Sequence, residues 1–233
     1  MNITKKDLWF FAICSFLTVI TTLGIHSGIF DFETTNIIEQ VGLYKNSIYN
    51  LGFWWIIAHC LLVLCSMWGV FLIQYKKTLT LIGLGFLSYA VFCFTEIFRQ
   101  LLYLFYLNGQ FKRYAFADND ELRDSIFQEI QSFSLISYSL FGLFIFAFAL
   151  GNLCYGLSLV RGSKWDKLLG YILLIWGIQG LLTLGNEFWE INWMGILIGK
   201  FSLVCQPFAR LLIGLWFLNL VYELQKLKLK NNV

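Results

Sequence analysis

The chain has 233 residues, of which 58% are hydrophobic and only 13% are charged, and its mean hydropathy is +0.69. A soluble domain carries roughly 25% charged residues, so this composition excludes an ordinary soluble globular protein. The formal net charge of +3 is small. Its basic residues lie at the ends of apolar stretches, which excludes a nucleic-acid-binding face made of clustered lysines and arginines.

Six apolar stretches are long enough to span a membrane, because about 20 helical residues cross a hydrocarbon core of about 30 Å. The first has an apolar core longer than the roughly 7–15 residues of a signal peptide, so we expect it to be retained. The sequence therefore predicts an all-α polytopic integral membrane protein with a single six-helix domain in contact with membrane lipid. The predicted spans are approximately residues 8–30, 51–75, 79–107, 132–160, 168–186 and 197–222.

The lysines and arginines predict the orientation of the spans. With the N-terminus inside, the inner segments carry more of them than the outer segments, including Lys5, Lys6, Lys76 and Lys77. The positive-inside rule then places both termini in the cytoplasm. The inner loops are also short, so spans two and three, and spans four and five, are expected to be antiparallel neighbours.

The first long outer loop, residues 31–50, contains apolar residues spaced for one helix face. Ile37, Ile38, Val41 and Tyr44 make up this face, which predicts a short helix lying at the level of the lipid headgroups.

The second long outer loop covers residues 109–131. Asn108 and Gly109 are typical of a helix end, and Asp118 or Asn119 can cap the next helix at its N-terminus. We expect that helix to continue into span four through Ile126, Ile130 and Phe133.

Ionisable and polar side chains concentrate in the predicted outer half of five different spans. An ionisable group at bilayer depth costs at least about 2 kcal/mol unless it has a partner or water, so such groups indicate a functional site. Their shared depth, from a rise of about 1.5 Å per residue, predicts a polar cavity that opens to the exterior. The candidate ligand-binding residues are Arg99, Arg210, Glu96, His59, Gln179 and His26.

Two interpretations of the charged residues remain open. Glu96 and Arg99 are three positions apart and share a helix face, so they form either a structural salt bridge or a pair in which Glu96 orients Arg99 toward an anionic ligand. Arg210 has no acid within four positions on its own helix. Its counter-charge must come from another helix, a ligand or a lipid phosphate. If Glu96 serves both arginines, the three residues form a structural cluster.

Pro207 precedes Arg210 in span six, and it is expected to kink the helix beside the pocket.

The two histidines also have alternatives. His59 is either a hydrogen-bonded core residue or a proton carrier, since its ordinary pKa lies near neutrality. His26 and His59 together could hold a haem, although the sequence favours no cofactor and no metal.

The six cysteines lie within spans and are expected to act as small hydrophobic residues. The chain has no zinc-protease, serine-hydrolase or nucleotide-binding motif, so no catalytic residue is predicted.

The layout resembles one family, a group of uncharacterised bacterial six-span proteins known as domain of unknown function 4386. The similar parts are Gly28-Ile29-Phe30 after span one, Lys76-Lys77 between spans two and three, Tyr155-Gly156-Leu157 before Arg161-Gly162-Ser163, and Pro207 before Arg210 in the last span. The resemblance implies six helices in a bacterial inner membrane and supplies no activity. The Glu96–Arg99 pair and the acidic outer loop depart from the family pattern.

The leading functional hypothesis is an outward-facing polar pocket for a small anionic or lipid-like ligand, used in transport or sensing. The second is a structural or interaction subunit, whose acidic outer loop meets a partner in a membrane complex or another copy of the chain. The third is a membrane enzyme or redox subunit.

Overall fold

The computed structural model describes residues 3–32, 34, 36–189 and 192–231, and for residues 192–202 and 227–231 it describes the backbone alone. These residues form helices and turns, without a strand. Six helical segments are long and apolar enough to cross a membrane, which confirms the all-α polytopic prediction. The α-helices are α1 Lys5–His26, α2 Ile37–Gly42, α3 Ser47–Gln74, α4 Leu79–Leu101, α5 Asn108–Ala115, α6 Asp120–Leu159, α7 Lys164–Trp189 and α8 Asn192–Asn231.

The six long helices form a closed ring in chain order. Each of α1, α3, α4, α6, α7 and α8 packs mainly against the preceding and following long helix, and α8 packs against α1. The Tyr155 hydroxyl on α6 donates a hydrogen bond to the Met67 carbonyl on α3, 2.9 Å away across the ring. Large buried side chains fill the centre, so the ring is a packed bundle. They include Met67, Tyr89, Tyr155, Trp176, Trp216 and Phe217.

Helices α6 and α7 approach each other at two glycines. A Cβ atom on Gly156 would lie 2.9 Å from the Gly170 carbonyl oxygen, and one on Gly170 would lie 2.8 Å from the Val160 nitrogen. Contacts this short involve backbone atoms, which cannot rotate away. Small residues are therefore needed here for the two helices to pack at this distance.

The helix predicted to end at Asn108-Gly109 continues instead, and that prediction is wrong. A π-helical turn, Leu102–Leu107, joins α4 directly to α5, so one continuous helix runs to Ala115. Two interactions outweigh the weak helix preference of Asn and Gly. Phe111 is fully buried in an apolar cluster, and Asn108 donates a 2.7 Å hydrogen bond to Asn50 of α3.

The long α4–α5 helix and the 40-residue α6 form a hairpin, named the outer hairpin because its tip lies in a loop predicted to be outside. At about 1.5 Å per residue α6 is about 60 Å long, twice the thickness of a hydrocarbon core. Asn119 caps α6 by accepting a hydrogen bond from the Leu122 nitrogen at 2.8 Å, which confirms the predicted helix start. The hairpin has its own apolar core, built from Val41, Leu107, Phe111, Ala117, Ile126, Ile130 and Phe133.

Helix α2 packs on this hairpin core through Val41 and against α5. Ile37 and Tyr44 contact the same cluster, as their spacing predicts. Ile38, predicted on the same face, is 75% exposed, so that assignment is wrong. Helix α2 is thus the short helix that the spacing predicts, and part of its apolar face packs on protein.

At the opposite end of the ring, Asp166 holds three segments together. Its carboxylate accepts 2.9 Å and 2.8 Å hydrogen bonds from the Ser163 nitrogen and from the Trp216 indole of α8, and Lys77 of the α3–α4 loop lies 3.7 Å away. The Ser163 hydroxyl in turn accepts from the Asp166 nitrogen at 3.4 Å. Ser163 and Asp166 thus form a capping box. Asp166 is not among the residues predicted from the sequence, although the spacing of Ser163 and Asp166 is typical of a capping box.

The structure extends most predicted spans. Helix α1 begins earlier and ends at His26 instead of residue 30, because Gly28 adopts a positive φ of 74° that a right-handed helix does not allow. Helix α8 is continuous through Pro207.

Replacing Gly156 by Ala is expected to lower the free energy of unfolding by about 1–3 kcal/mol, the usual range for forcing an extra methyl into a tightly packed site. Gly83→Ala is the matched control, because a Cβ there meets nothing within 4 Å. That variant should be neutral, or more stable by about 1 kcal/mol through helix propensity. Thermal or denaturant unfolding in detergent measures both, and equal effects would contradict the close α6–α7 contact.

Candidate functional site

Glu96 and Arg99 on α4 form a bidentate salt bridge. Arg99 donates from Nε to Oε2 at 2.8 Å and from Nη2 to Oε1 at 2.7 Å. Gln100 adds a third donor to Oε1 at 2.6 Å. Glu96 is buried, with 4% of its side chain exposed. The Glu96 carboxylate is therefore satisfied within its own helix, and this pair is neutral as a unit.

The Arg99 guanidinium also lies between aromatic rings. Its Cζ is 5.7 Å from the centre of the Tyr103 ring and 5.6 Å from that of Phe141. Tyr103 belongs to the π-helical turn that follows α4, and such turns often occur at functional sites. Glu96 occupies Nε and Nη2 of Arg99, so this side of the guanidinium is already engaged.

Arg210 on α8 is placed differently. It is 2% exposed, and in the part of the chain that the structure describes it has no ion pair with Glu96 or any other acid. Glu96 pairs with Arg99, so the alternative in which it serves both arginines is not formed among the described residues. Its Cζ lies 4.7 Å from the centre of the Trp176 ring on α7. Its Nη1 has no hydrogen-bond partner, so the buried charge is only partly compensated.

The uncharged groups around Arg210 explain how it is tolerated. Tyr89, Cys60 and Cys93 are among the groups that act electrostatically on it, and these three are neutral in their ordinary protonated forms. The Tyr89 hydroxyl donates to Asn152 at 2.7 Å, so its oxygen remains an acceptor for the guanidinium. A cation over an indole face gains about 2 kcal/mol or more when desolvated. These interactions reduce the cost of the charge without neutralising it.

Gln179 lies on the same face of α7 as Trp176, three positions away. It is 7% exposed, and its Oε1 has no hydrogen-bond partner. The indole Nε1 of Trp176 is likewise buried without an acceptor. Buried polar atoms are normally paired. Two unpaired atoms, Arg210 Nη1 and Trp176 Nε1, belong to side chains in contact between α7 and α8. The third, Gln179 Oε1, lies about one turn along α7 from Trp176.

The two histidines hold α1 to its neighbours. His59 Nδ1 on α3 is 2.7 Å from Thr21 Oγ1 on α1. His26 Nε2 at the end of α1 is 3.2 Å from Gln206 Oε1 on α8, one turn from Arg210. His59 interacts electrostatically with both Arg210 and His26. The structure thus brings His59, His26 and Arg210 into one polar region, while Arg99 belongs to a separate pair.

Two surface grooves lie away from this region. One of about 510 Å³ runs between the π-helical turn and α6, beside Tyr106 and Glu129. The other, of about 400 Å³, separates α2 from the hairpin tip beside Lys45 and Arg123. Neither is lined by a predicted site residue. The polar region is part of the bundle interior.

Among the described residues there is no group of three or more His, Cys, Asp or Glu side chains that could hold a metal ion. Thr21 and Gln206 hydrogen-bond one nitrogen of each histidine, and nothing in this geometry favours the haem alternative.

Three residues that shape the Arg210 environment are not among those predicted from the sequence: Trp176, Tyr89 and Asn152. Only Trp176 had a usable signal, since its position three residues before Gln179 puts both on one helix face. Tyr89 and Asn152 lie on α4 and α6, and their contact depends on the ring arrangement.

Comparison of the chain with protein-family models, with curated proteins and with solved structures gave no match.

The effects of substituting Glu96 and Arg99 on the free energy of unfolding are expected to depend strongly on each other. Glu96→Gln should lower the free energy of unfolding by about 1–3 kcal/mol, since it leaves the partly buried Arg99 without its carboxylate. The double variant Glu96→Gln/Arg99→Gln should cost less than the sum of the single variants by about 1–3 kcal/mol. Unfolding measurements on the four proteins give this coupling energy.

Asp120 and Arg123 provide the control for that cycle, because they are also three positions apart, at 3.3 Å, but exposed. Exposed pairs contribute little, so their coupling should be undetectable. Additive effects at Glu96 and Arg99 would show that their contact does not stabilise the fold.

Proposed function

We propose that the chain binds a small anionic or lipid-like ligand in the outer half of the helix ring, as part of transport or sensing. Arg210 is the group that contacts the ligand, with His59, His26 and Gln179 in the wall around it. The observation that carries the proposal is the buried Arg210 guanidinium, which has an unpaired Nη1 and no acidic partner among the described residues. An uncompensated buried cation is costly, and an anionic ligand removes that cost.

The Glu96–Arg99–Gln100 group takes a different role in this proposal. Its hydrogen bonds satisfy the Glu96 carboxylate, which supports a structural function in holding α4 rather than direct contact with ligand. The structural-subunit hypothesis draws on the same observation, and on the separate apolar core of the outer hairpin. A subunit that only assembles with partners has no need for an unpaired cation inside its own bundle, so the ligand-binding proposal explains Arg210 better.

We also propose the orientation and location of the protein. The lysine and arginine distribution places both termini in the cytoplasm, and the resemblance to bacterial six-span proteins suggests an inner membrane. The outer hairpin then projects from the outer surface, and Arg210 is approached from outside.

A labelling experiment checks this orientation. Asp118→Cys, at the exposed hairpin tip, should react with a membrane-impermeant maleimide added to intact cells. Lys76→Cys, exposed in the α3–α4 loop at the opposite end, should react only after lysis. The native cysteines serve as the unlabelled background. The reverse pattern would overturn the orientation and the outward-facing pocket together.

Native mass spectrometry of protein released from mild detergent tests the proposed function. The wild-type protein should retain a bound small molecule, and Arg210→Gln should lose it. Arg161→Gln is the matched control, since Arg161 is exposed in the α6–α7 loop, and it should retain the same mass. A bare wild-type protein, or equal retention in Arg210→Gln, would contradict a site at Arg210.

A further inference from the structure

The three unpaired polar atoms between α7 and α8 have a defined chemistry. Arg210 Nη1 and Trp176 Nε1 are N–H donors, and Gln179 Oε1 is an acceptor. Arg210 lies over the ring that carries Nε1, with its Cζ 4.7 Å from the ring centre, so the two donors belong to side chains in direct contact. All three side chains are more than nine-tenths buried. Their unused hydrogen-bonding capacity therefore faces protein interior rather than bulk water.

The charge of this region selects the class of ligand. Glu96 and Arg99 neutralise each other, and Tyr89, Cys60 and Cys93 beside Arg210 are uncharged in their ordinary forms. With His26 and His59 counted as neutral at pH 7, the region has a surplus of one positive charge. A monoanion balances it. An alkyl phosphate carries about −1.5 to −2 charges near neutral pH, and it would leave negative charge unpaired in a medium where such charge is costly.

The surrounding side chains are apolar and aromatic. Phe148 packs edge-to-face on Trp176 with ring centres 4.9 Å apart, and Phe92 lies against Phe148. A ligand that reaches Arg210 therefore meets a polar end at the guanidinium and an apolar wall beside it. This pattern suits an amphiphile with a small charged head.

We infer that Trp176, Gln179 and Arg210 form a site for the carboxylate head of a monoanionic, apolar carboxylic acid, an inference that depends on the proposed function and specifies its ligand. One carboxylate oxygen accepts from Arg210 Nη1 and the other from Trp176 Nε1. Gln179 Oε1 accepts from a hydroxyl or a water next to the head. The apolar chain of the acid lies along the aromatic wall.

The test uses ten-carbon probes that differ only at the head: decanoate, decyl phosphate and decanol. 2-Bromodecanoate carries a heavy-atom quencher beside its carboxylate, so it should quench tryptophan fluorescence of the purified protein in a saturable way. Decanoate should displace it at least tenfold better than decyl phosphate or decanol does. Arg210→Gln should weaken the binding of decanoate at least tenfold.

Two tryptophan variants locate the probe. Trp176→Phe keeps the ring and removes the indole nitrogen, so it should abolish most of the quenching and weaken decanoate binding a few-fold. Trp165→Phe, a change on the same helix at an exposed residue, should leave quenching unchanged. These conservative variants remain informative if Arg210→Gln fails to fold.

The outcomes separate this inference from the proposed function. Better displacement by decyl phosphate would overturn the carboxylate assignment and leave an anion site at Arg210 intact. If decanol displaced the probe as well as decanoate does, the carboxylate assignment would be overturned, and binding would depend on the apolar chain alone. Unchanged quenching in Trp176→Phe would place the probe elsewhere and overturn the site. A protein that binds none of the probes and retains no ligand on purification would contradict both proposals.

Discussion

The buried guanidinium of Arg210 is the constraint on which the functional account depends. Removing a cation from water costs several kcal/mol, and the described part of the chain supplies no carboxylate to offset it. The ring instead surrounds Arg210 with an indole face and neutral polar groups from α3, α4 and α6. Such groups make a positive charge tolerable and leave it able to attract an anion. A salt bridge like that of Glu96 and Arg99 would have removed that ability.

The remainder of the fold positions this charge. Glycine contacts fix α6 against α7, and the Asp166 hydrogen bond to Trp216 fixes α7 against α8 two turns below Arg210. At the opposite end the histidine contacts of α1 reach α3 and α8. The polar groups around Asp166 are engaged in hydrogen bonds, whereas Arg210 Nη1, Trp176 Nε1 and Gln179 Oε1 are not.

Hydropathy was sufficient to predict six spans, because each helix must provide enough apolar length to cross the bilayer whatever its neighbours are. The Glu96–Arg99 pair was also predictable, since both residues lie on one helix. Two kinds of feature could not be predicted from the sequence. The helix through Asn108-Gly109 depends on burial of Phe111 in a tertiary core, which overrides local helix preference. The placement of Trp176 and Tyr89 around Arg210 depends on which helices are neighbours, and the short inner loops indicated only some of those pairs.

An experimental density map of the protein purified in mild detergent tests the central claim most directly. The account predicts density that does not belong to the chain between Arg210 Nη1 and Trp176 Nε1, within hydrogen-bonding distance of both atoms. A carboxylate of the protein itself bonded to Arg210 in that position would contradict it, because the cation would then be compensated internally and would have no need of a ligand.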